Sequence, residues 1–360
     1  MDNTENVLSS PDWLLSGVNS EREAFNFTNV QRGSLDAMAF HDGRTPLRHK
    51  ANSVTVDFED ALNWQRGHTC PDSPLQLINH TAFCGSTLLS RMLATAPEVA
   101  CYREPQVLVE LADLKACGHS LTRESDVWGA IVNFALQQFT QHWEGQSTTV
   151  LKPSNWANTL LSDITLRMPV RAVLMTCDIE DYLLAHLRGG RERISFSLRL
   201  LNHMALCSDS LQGRIDLLEK HHPNGLPNIL HLLALNLQAQ QELLTRYNQV
   251  NGWDTIELTK HALLNQPVTS IMHTASVLRL QTNWYSSTRL TEITRVNAKE
   301  DSRSGFSASE ESLQNAWLRR EYDSEIHAAC DWFYQSTLPP GITSGNPANL
   351  SPEQFSQLPN

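Results

Sequence analysis

From Pro71 onward the chain changes rhythm, with short unbroken apolar runs alternating with longer stretches at helical spacing. LQLIN, from Leu75, is a short apolar run and suits a buried parallel strand. A glycine turn follows it. Leu88, Leu89, Met92 and Leu93 then mark one face of a helix, which Pro97 stops. STTVLK, ending at Lys152, predicts a second strand, and Asn155 is placed to cap a helix over WANTLLSDITL before Pro169. RAVLMTC, ending at Cys177, predicts a third strand, with IEDYLLAHLR as the next helix. Strand–helix alternation of this kind predicts an α/β fold, doubly wound, with a mainly parallel sheet covered on both faces.

The flanking regions differ. Residues 1–70 read as a mixed segment packed on the core, with short strands such as SVTVDF from Ser53. Residues 71–338 form the main α/β domain. Within it, residues 193–249 are leucine-rich and read as a helical insertion broken near HHPNGLPN. WDTIEL, from Trp253, predicts a late strand, and Pro267 to Leu280 a helix. NAKEDSRSGFSASEESLQ reads as a polar, turn-rich loop. NAWLRREYDSEIHAACDWFYQ reads as the last helix, and residues 339–360 as a flexible tail.

Composition narrows the function. The chain has 360 residues, 41% of them hydrophobic, and a net charge of −11. An acidic chain is a poor general binder of nucleic acid, because phosphate neutralisation requires a basic surface. No apolar run is long enough for a membrane span, and the polar N-terminus does not read as a signal peptide. Seven scattered cysteines without a CxxC pair predict reduced thiols in a cytoplasmic protein. The fourteen histidines show no metal-ligand spacing, so no metal site is expected.

Chemistry concentrates after the strands, because ligands of such sheets sit at the strands' carboxyl ends. FCGSTLL, Phe83 to Leu89, has the form of a phosphate-cradling turn. Gly85 permits close backbone approach, Ser86 and Thr87 add hydroxyl donors, and the start of a helix faces the anion. The lysine of the nucleotide-hydrolase loop GxxxxGK[ST] is replaced by Ser86, and its first glycine by His80. Cys84 either packs as a small residue or acts as a thiol acidified by the helix terminus. Asp178 either caps the helix that follows or joins Thr87 at a magnesium site.

The segment resembles the sulfotransferases that use 3′-phosphoadenylyl sulfate, whose loop reads like [KR]SGT[TS]LL. The resemblance is strongest to the branch that includes tyrosylprotein sulfotransferases. It is closest to bacterial sulfotransferase-like proteins that carry HxxFCxSTLLxR followed by REP. It covers roughly residues 75–190 and includes EVACYREP and LKPSNWANTLLSDITLRMPVRAVLM. It implies a 3′-phosphoadenylyl sulfate donor and a small-molecule or peptide acceptor bearing a hydroxyl or amine. Phe83, Cys84, Gly85, Ser86, Thr87 and Leu88 would line the donor, with Gly85, Ser86 and Thr87 holding its 5′-phosphate. Glu104 would be the base, with Lys152 and Arg103 stabilising charge.

The sequence departs from that family in two respects. Phe83 stands where the family has a basic residue, so the charge must come from elsewhere, with Arg103 or Lys152 as candidates. Asp178 and His186 stand where the family binds the donor's 3′-phosphate with an arginine and a serine. An aspartate there changes the local charge by two units, and each unit charge about 5 Å away is worth roughly 1 kcal/mol in water, more in a cleft. Candidate replacements are Arg188, Arg191 and Arg193 in RGGRER, and Lys299 and Arg303 in the late loop. The remaining alternatives are a magnesium–ATP enzyme and a binding protein built on a degenerate loop.

Overall fold

The computed structural model describes residues 3–44, 52–68, 74–221, 225–251, 255–294 and 308–337. Lys299, Arg303 and the tail at 339–360 lie outside the described residues. The chain opens with α1 (Asn3–Ser9), β1 (Trp13–Asn19), β2 (Ala24–Asn29), α2 (Arg32–Ala37), β3 (Ser53–Asp57) and α3 (Phe58–Gly67). Then come β4 (Leu75–His80), α4 (Ser86–Leu93), β5 (Val99–Arg103), α5 (Gln106–Ala116) and α6 (Ser125–Gln138). β6 (Thr148–Lys152), α7 (Leu161–Thr165), β7 (Val170–Thr176) and the long α8 (Ile179–Ala205) follow. The rest is α9 (Asp209–His221), α10 (Leu226–Asn251), β8 (Thr255–Thr259), α11 (Lys260–Asn265), α12 (Pro267–Val277), α13 (Ser287–Thr294), α14 (Ala308–Glu321) and α15 (Asp323–Thr337).

β4 to β8 form a five-stranded sheet in the order β5-β6-β4-β7-β8, and every neighbouring pair is parallel. Both faces are buried, which explains the unbroken apolar runs. Leu75, Leu77, Tyr102, Leu151, Ala172 and Leu174 pack on one face with α5, α6 and α7. Ile78, Cys101, Val150, Val173, Met175 and Leu258 pack on the other with α4, α12 and α13. All five strands run the same way, so their carboxyl ends share one edge. His80, Arg103, Lys152, Thr176 and Thr259 end the strands there.

Residues of the N-terminal segment build an antiparallel sheet in the order β1-β2-β3. Its Phe25 stacks on Phe134 of α6 and packs at a tilt against Phe58, each with ring centres 4.6 Å apart. Val18 N–H donates to Glu110 of α5 at 2.6 Å. The small sheet therefore shares its core with the large one. A further helical layer is formed by α8, α10 and α15, with α9 against it.

Three local expectations change. The helix after β6 opens as a 3₁₀ turn over Asn155–Leu160, and its cap is Ser154, whose hydroxyl accepts from Trp156 N–H. Asn155 does not cap it, because its amide is buried and donates to Gln240 at 3.1 Å. The helix predicted at IEDYLLAHLR continues through 193 into the leucine-rich stretch, bending at Gly190 (φ 64°). The predicted last helix is two helices divided at Tyr322, and ASEESLQ, from Ala308, belongs to the first of them rather than to a loop.

Phe134→Ala removes the ring that joins both sheets. It is expected to destabilise the chain by about 3–5 kcal/mol. Urea unfolding followed by tryptophan fluorescence should show one transition shifted to lower urea, because the two sheets share a core. A second transition split off by the variant would mean that the N-terminal sheet unfolds independently.

Candidate active site at the strand ends

The loop between β4 and α4 is held at both sides. Thr81 N–H donates to Met175 O at 3.0 Å, and Cys84 Sγ lies 3.0 Å from Thr81 O. Cys84 is fully buried, as a packed small residue is. Phe83 has φ 61°, an uncommon backbone for a bulky side chain. Gly85 has φ 88°, and a Cβ there would meet Lys260 side-chain carbons at 3.4 Å. The left-handed turn favours glycine, while a Cβ there would only make ordinary contact with Lys260. Leu89 N–H makes the first bond into α4, to Gly85 O at 3.0 Å. The N–H groups of Ser86, Thr87 and Leu88 precede that ladder, the arrangement that favours an anion.

Beside the loop lies a buried ion pair. Lys152, 0% exposed, ends β6 and pairs through Nζ with Glu104 Oε1. Glu104 N–H donates to Lys152 O at 2.6 Å, so the two strand ends are joined by backbone and side chain alike. Glu104 takes φ 54°, and backbone strain in a non-glycine residue is concentrated at functional sites. Its other oxygen meets Arg44, whose Nε also donates to Asp42 Oδ2 at 2.6 Å. Arg44 covers the Phe40 ring, with its guanidinium carbon 3.8 Å from the ring centre. Burial alone would raise the pKa of Glu104. Lys152, then His80 and Arg44, hold it down to about 2.

Histidines line the back of this pair. His80 has Nδ1 2.8 Å from Thr81 O and Nε2 2.9 Å from Pro153 O. Burial and then Lys152 lower its pKa to about 4. His41 accepts from Arg103 N–H at Nδ1 and lies 3.2 Å from Leu35 O at Nε2; burial and Arg103 lower it to about 3. Both rings are neutral at pH 7.

A group of cations stands on the opposite side of the loop. Lys260, the first residue after β8, places Nζ 2.9 and 3.2 Å from the two oxygens of Glu311 on α14. Arg188 of α8 donates to Glu311 Oε1 at 2.7 Å and also reaches Asn315. Arg193 folds back over the Phe83 ring, 5.4 Å from its centre. Gly189 makes room for this, since a Cβ there would lie 1.8 Å from Arg193 Cδ.

The expected residues separate into groups. Gly85, Ser86, Thr87, Glu104 and Lys152 converge at the strand ends. Arg103 does not join them. Its guanidinium donates to Asp36 O at 3.1 Å and Met38 O at 2.6 Å, and it is 1% exposed. Arg103 and Lys152 are both engaged elsewhere, and the cation over the Phe83 ring is Arg193. Asp178 caps α8, accepting from Glu180 N–H at 3.1 Å. His186 is buried, bonded to Tyr182 O at 2.8 Å and Ser197 Oγ at 2.6 Å, with its ring against Phe83. Arg191 is exposed just beyond the bend in α8. Among the described residues no three His, Cys, Asp or Glu side chains gather as metal ligands, and no helix is long and apolar enough to cross a membrane.

Arg44 and Lys260 were not expected. Lys260 follows an apolar strand run directly, as Lys152 does, and the same strand-end reasoning identifies it. Arg44 reaches Glu104 across sixty residues without any local pattern to mark it.

No family model and no curated protein matches the chain. The chain is similar to three solved bacterial sulfotransferase structures. One is the sulfotransferase from Alicyclobacillus acidocaldarius, at 12% identity and TM-score 0.36, over 73% of this chain and 96% of that one. Another is the sulfotransferase domain from the curacin biosynthetic pathway, at 11% identity and TM-score 0.41, over 72% and 97%. The third is the sulfotransferase domain from the Synechococcus PCC 7002 olefin synthase, at 15% identity and TM-score 0.35, over 71% and 98%.

Glu104→Gln leaves Lys152 buried beside a neutral partner, and should cost about 3 kcal/mol at pH 7. A carboxylate held at about 2 rather than its ordinary 4.5 contributes stability that is complete above 4.5 and is lost as pH falls toward 2. The gap in urea midpoint between wild type and variant should therefore narrow below pH 4.5. A gap constant down to pH 3 would contradict the ion-pair origin.

Proposed function

We propose that the chain is a sulfotransferase that moves a sulfuryl group from 3′-phosphoadenylyl sulfate to a hydroxyl or amine acceptor. The observation that supports this best is the meeting of the Gly85 loop with the Glu104–Lys152 pair at adjacent strand ends. The bound donor would supply an activated sulfuryl group on its 5′-phosphate. The N–H groups of Ser86, Thr87 and Leu88, with the two hydroxyls, suit that phosphate and the charge it gains on leaving. Lys152, enclosed beside Glu104, would supply positive charge to the transferred group once an acceptor opens the site.

Glu104 is the candidate base. It takes the acceptor's proton as the acceptor oxygen or nitrogen bonds to sulfur and the sulfur–oxygen bond to the donor phosphate breaks. A carboxylate near 2 is a weak base at neutral pH. Arg44 is the partner open to exchange, since its side chain is 54% exposed while that of Lys152 is 0% exposed. An acceptor that displaces Arg44 frees Glu104 Oε2 and raises its basicity at the moment of use.

Calorimetric titration should show binding of 3′,5′-adenosine bisphosphate in preference to adenosine monophosphate and to magnesium–ATP. Glu104→Gln, checked for folding by thermal melt, should retain that binding and lose turnover by about 10²–10⁴-fold in an acceptor screen. Full turnover in the variant would remove Glu104 as base. Binding of magnesium–ATP alone would replace sulfuryl transfer with a kinase-like reaction.

A further inference from the structure

α6 carries a glycine in its second turn, Gly129, although glycine inside a helix costs stability relative to alanine. An arginine explains it. Arg167, which follows α7, lays its guanidinium on the helix there. Its Nε donates to Gly129 O at 2.9 Å and its Nη1 to Asp163 O at 3.1 Å. A Cβ at 129 would stand 2.5 Å from Nη2. That nitrogen donates to no protein group among the described residues. The guanidinium is thus fixed by main-chain carbonyls, and no carboxylate balances its charge.

Arg167 lines an open cavity of about 580 Å³ between α3, α6 and the end of α7. Arg167 lies three residues before β7 begins at Val170, so the cavity sits at the amino-end edge of the sheet, away from Glu104 and Lys152. Asp126 lines it too, one helical turn before Gly129 and on the same face. Its carboxylate accepts only from Ser125 Oγ, at 3.4 Å. Arg167 and Asp126 therefore face one cavity with opposite charges and form no ion pair, with each other or with any described residue. Gln65 of α3 adds an amide whose Nε2 is buried and has no acceptor.

A simple anion is drawn by Arg167 and repelled by Asp126, and a simple cation meets the reverse. A molecule carrying both charges a few ångströms apart satisfies both. We propose that this cavity binds an α-amino acid as its zwitterion, with the carboxylate on Arg167 and the Gln65 amide and the ammonium on Asp126. Ala130 and Leu166 complete the lining, and Leu166 is 80% exposed. They offer an uncovered apolar wall to the ligand's side chain, so the ligand class is an aliphatic amino acid such as leucine. The volume suits a molecule of that size.

The test is calorimetric titration of the full chain with L-leucine, L-leucinamide and N-acetyl-L-leucine. Leucine should bind saturably at millimolar concentration. Leucinamide lacks the carboxylate and N-acetyl-leucine the ammonium, so each should bind at least about tenfold more weakly. Asp126→Asn changes an exposed side chain and leaves the core intact. It should weaken leucine by a similar factor and abolish the preference over N-acetyl-leucine. Gly129→Ala, checked by thermal melt, should weaken leucine as well, because the new Cβ pushes the flexible guanidinium aside rather than the helix. No saturable binding of leucine to wild type, equal binding of leucinamide, or unchanged affinity in the folded Asp126→Asn chain would each overturn the proposal.

Discussion

A lysine cut off from water must find a counter-charge or lose its own, and Lys152 is wholly enclosed. Its partner, Glu104, is therefore as much a structural requirement as a chemical one. The pair joins the ends of β5 and β6, and the carboxylate recruits Arg44 and, through it, Asp42 and Phe40. The N-terminal segment is thus drawn over the strand ends by charge as well as by the aromatic contacts beneath. The same pair sets the local electrostatics. Burial and then Lys152 keep His80 neutral, and Lys152 keeps Glu104 ionised against its burial.

The two sides of the loop solve different problems. On one side, charge is balanced and buried, and geometry is rigid. On the other, Lys260 and Arg188 share the Glu311 carboxylate at positions that reach solvent. The first arrangement orients groups. The second keeps its ions within reach of solvent.

What could be read from the chain was local. Strands β4, β6, β7 and β8 announce themselves as apolar runs because both faces of the sheet are covered. Gly85, Lys152 and the capping role of Asp178 follow from position relative to those strands. What could not be read depends on contacts between distant segments. Arg103 resembles a site residue by sequence, yet the carbonyls of Asp36 and Met38 hold it away from Glu104. Asn155 has the right chemistry for a cap, but α10 takes its amide. The polar stretch before the last helices reads as a loop, because nothing in its composition reveals that Glu311 will meet Lys260 and Arg188.

The bend in α8 joins backbone shape to charge. Arg193 reaches Phe83 only because Gly190 turns the helix and because no side chain stands at 189. Positions 189 and 193 therefore cannot vary independently. A lineage that acquired any side chain at 189 would be pressed to shorten or redirect residue 193, and would lose the cation that now stands over the aromatic ring. A basic residue at position 83 would relax that constraint. Among descendants of this chain, the identities at 83, 189 and 193 should change together, as a record of which segment carries the positive charge.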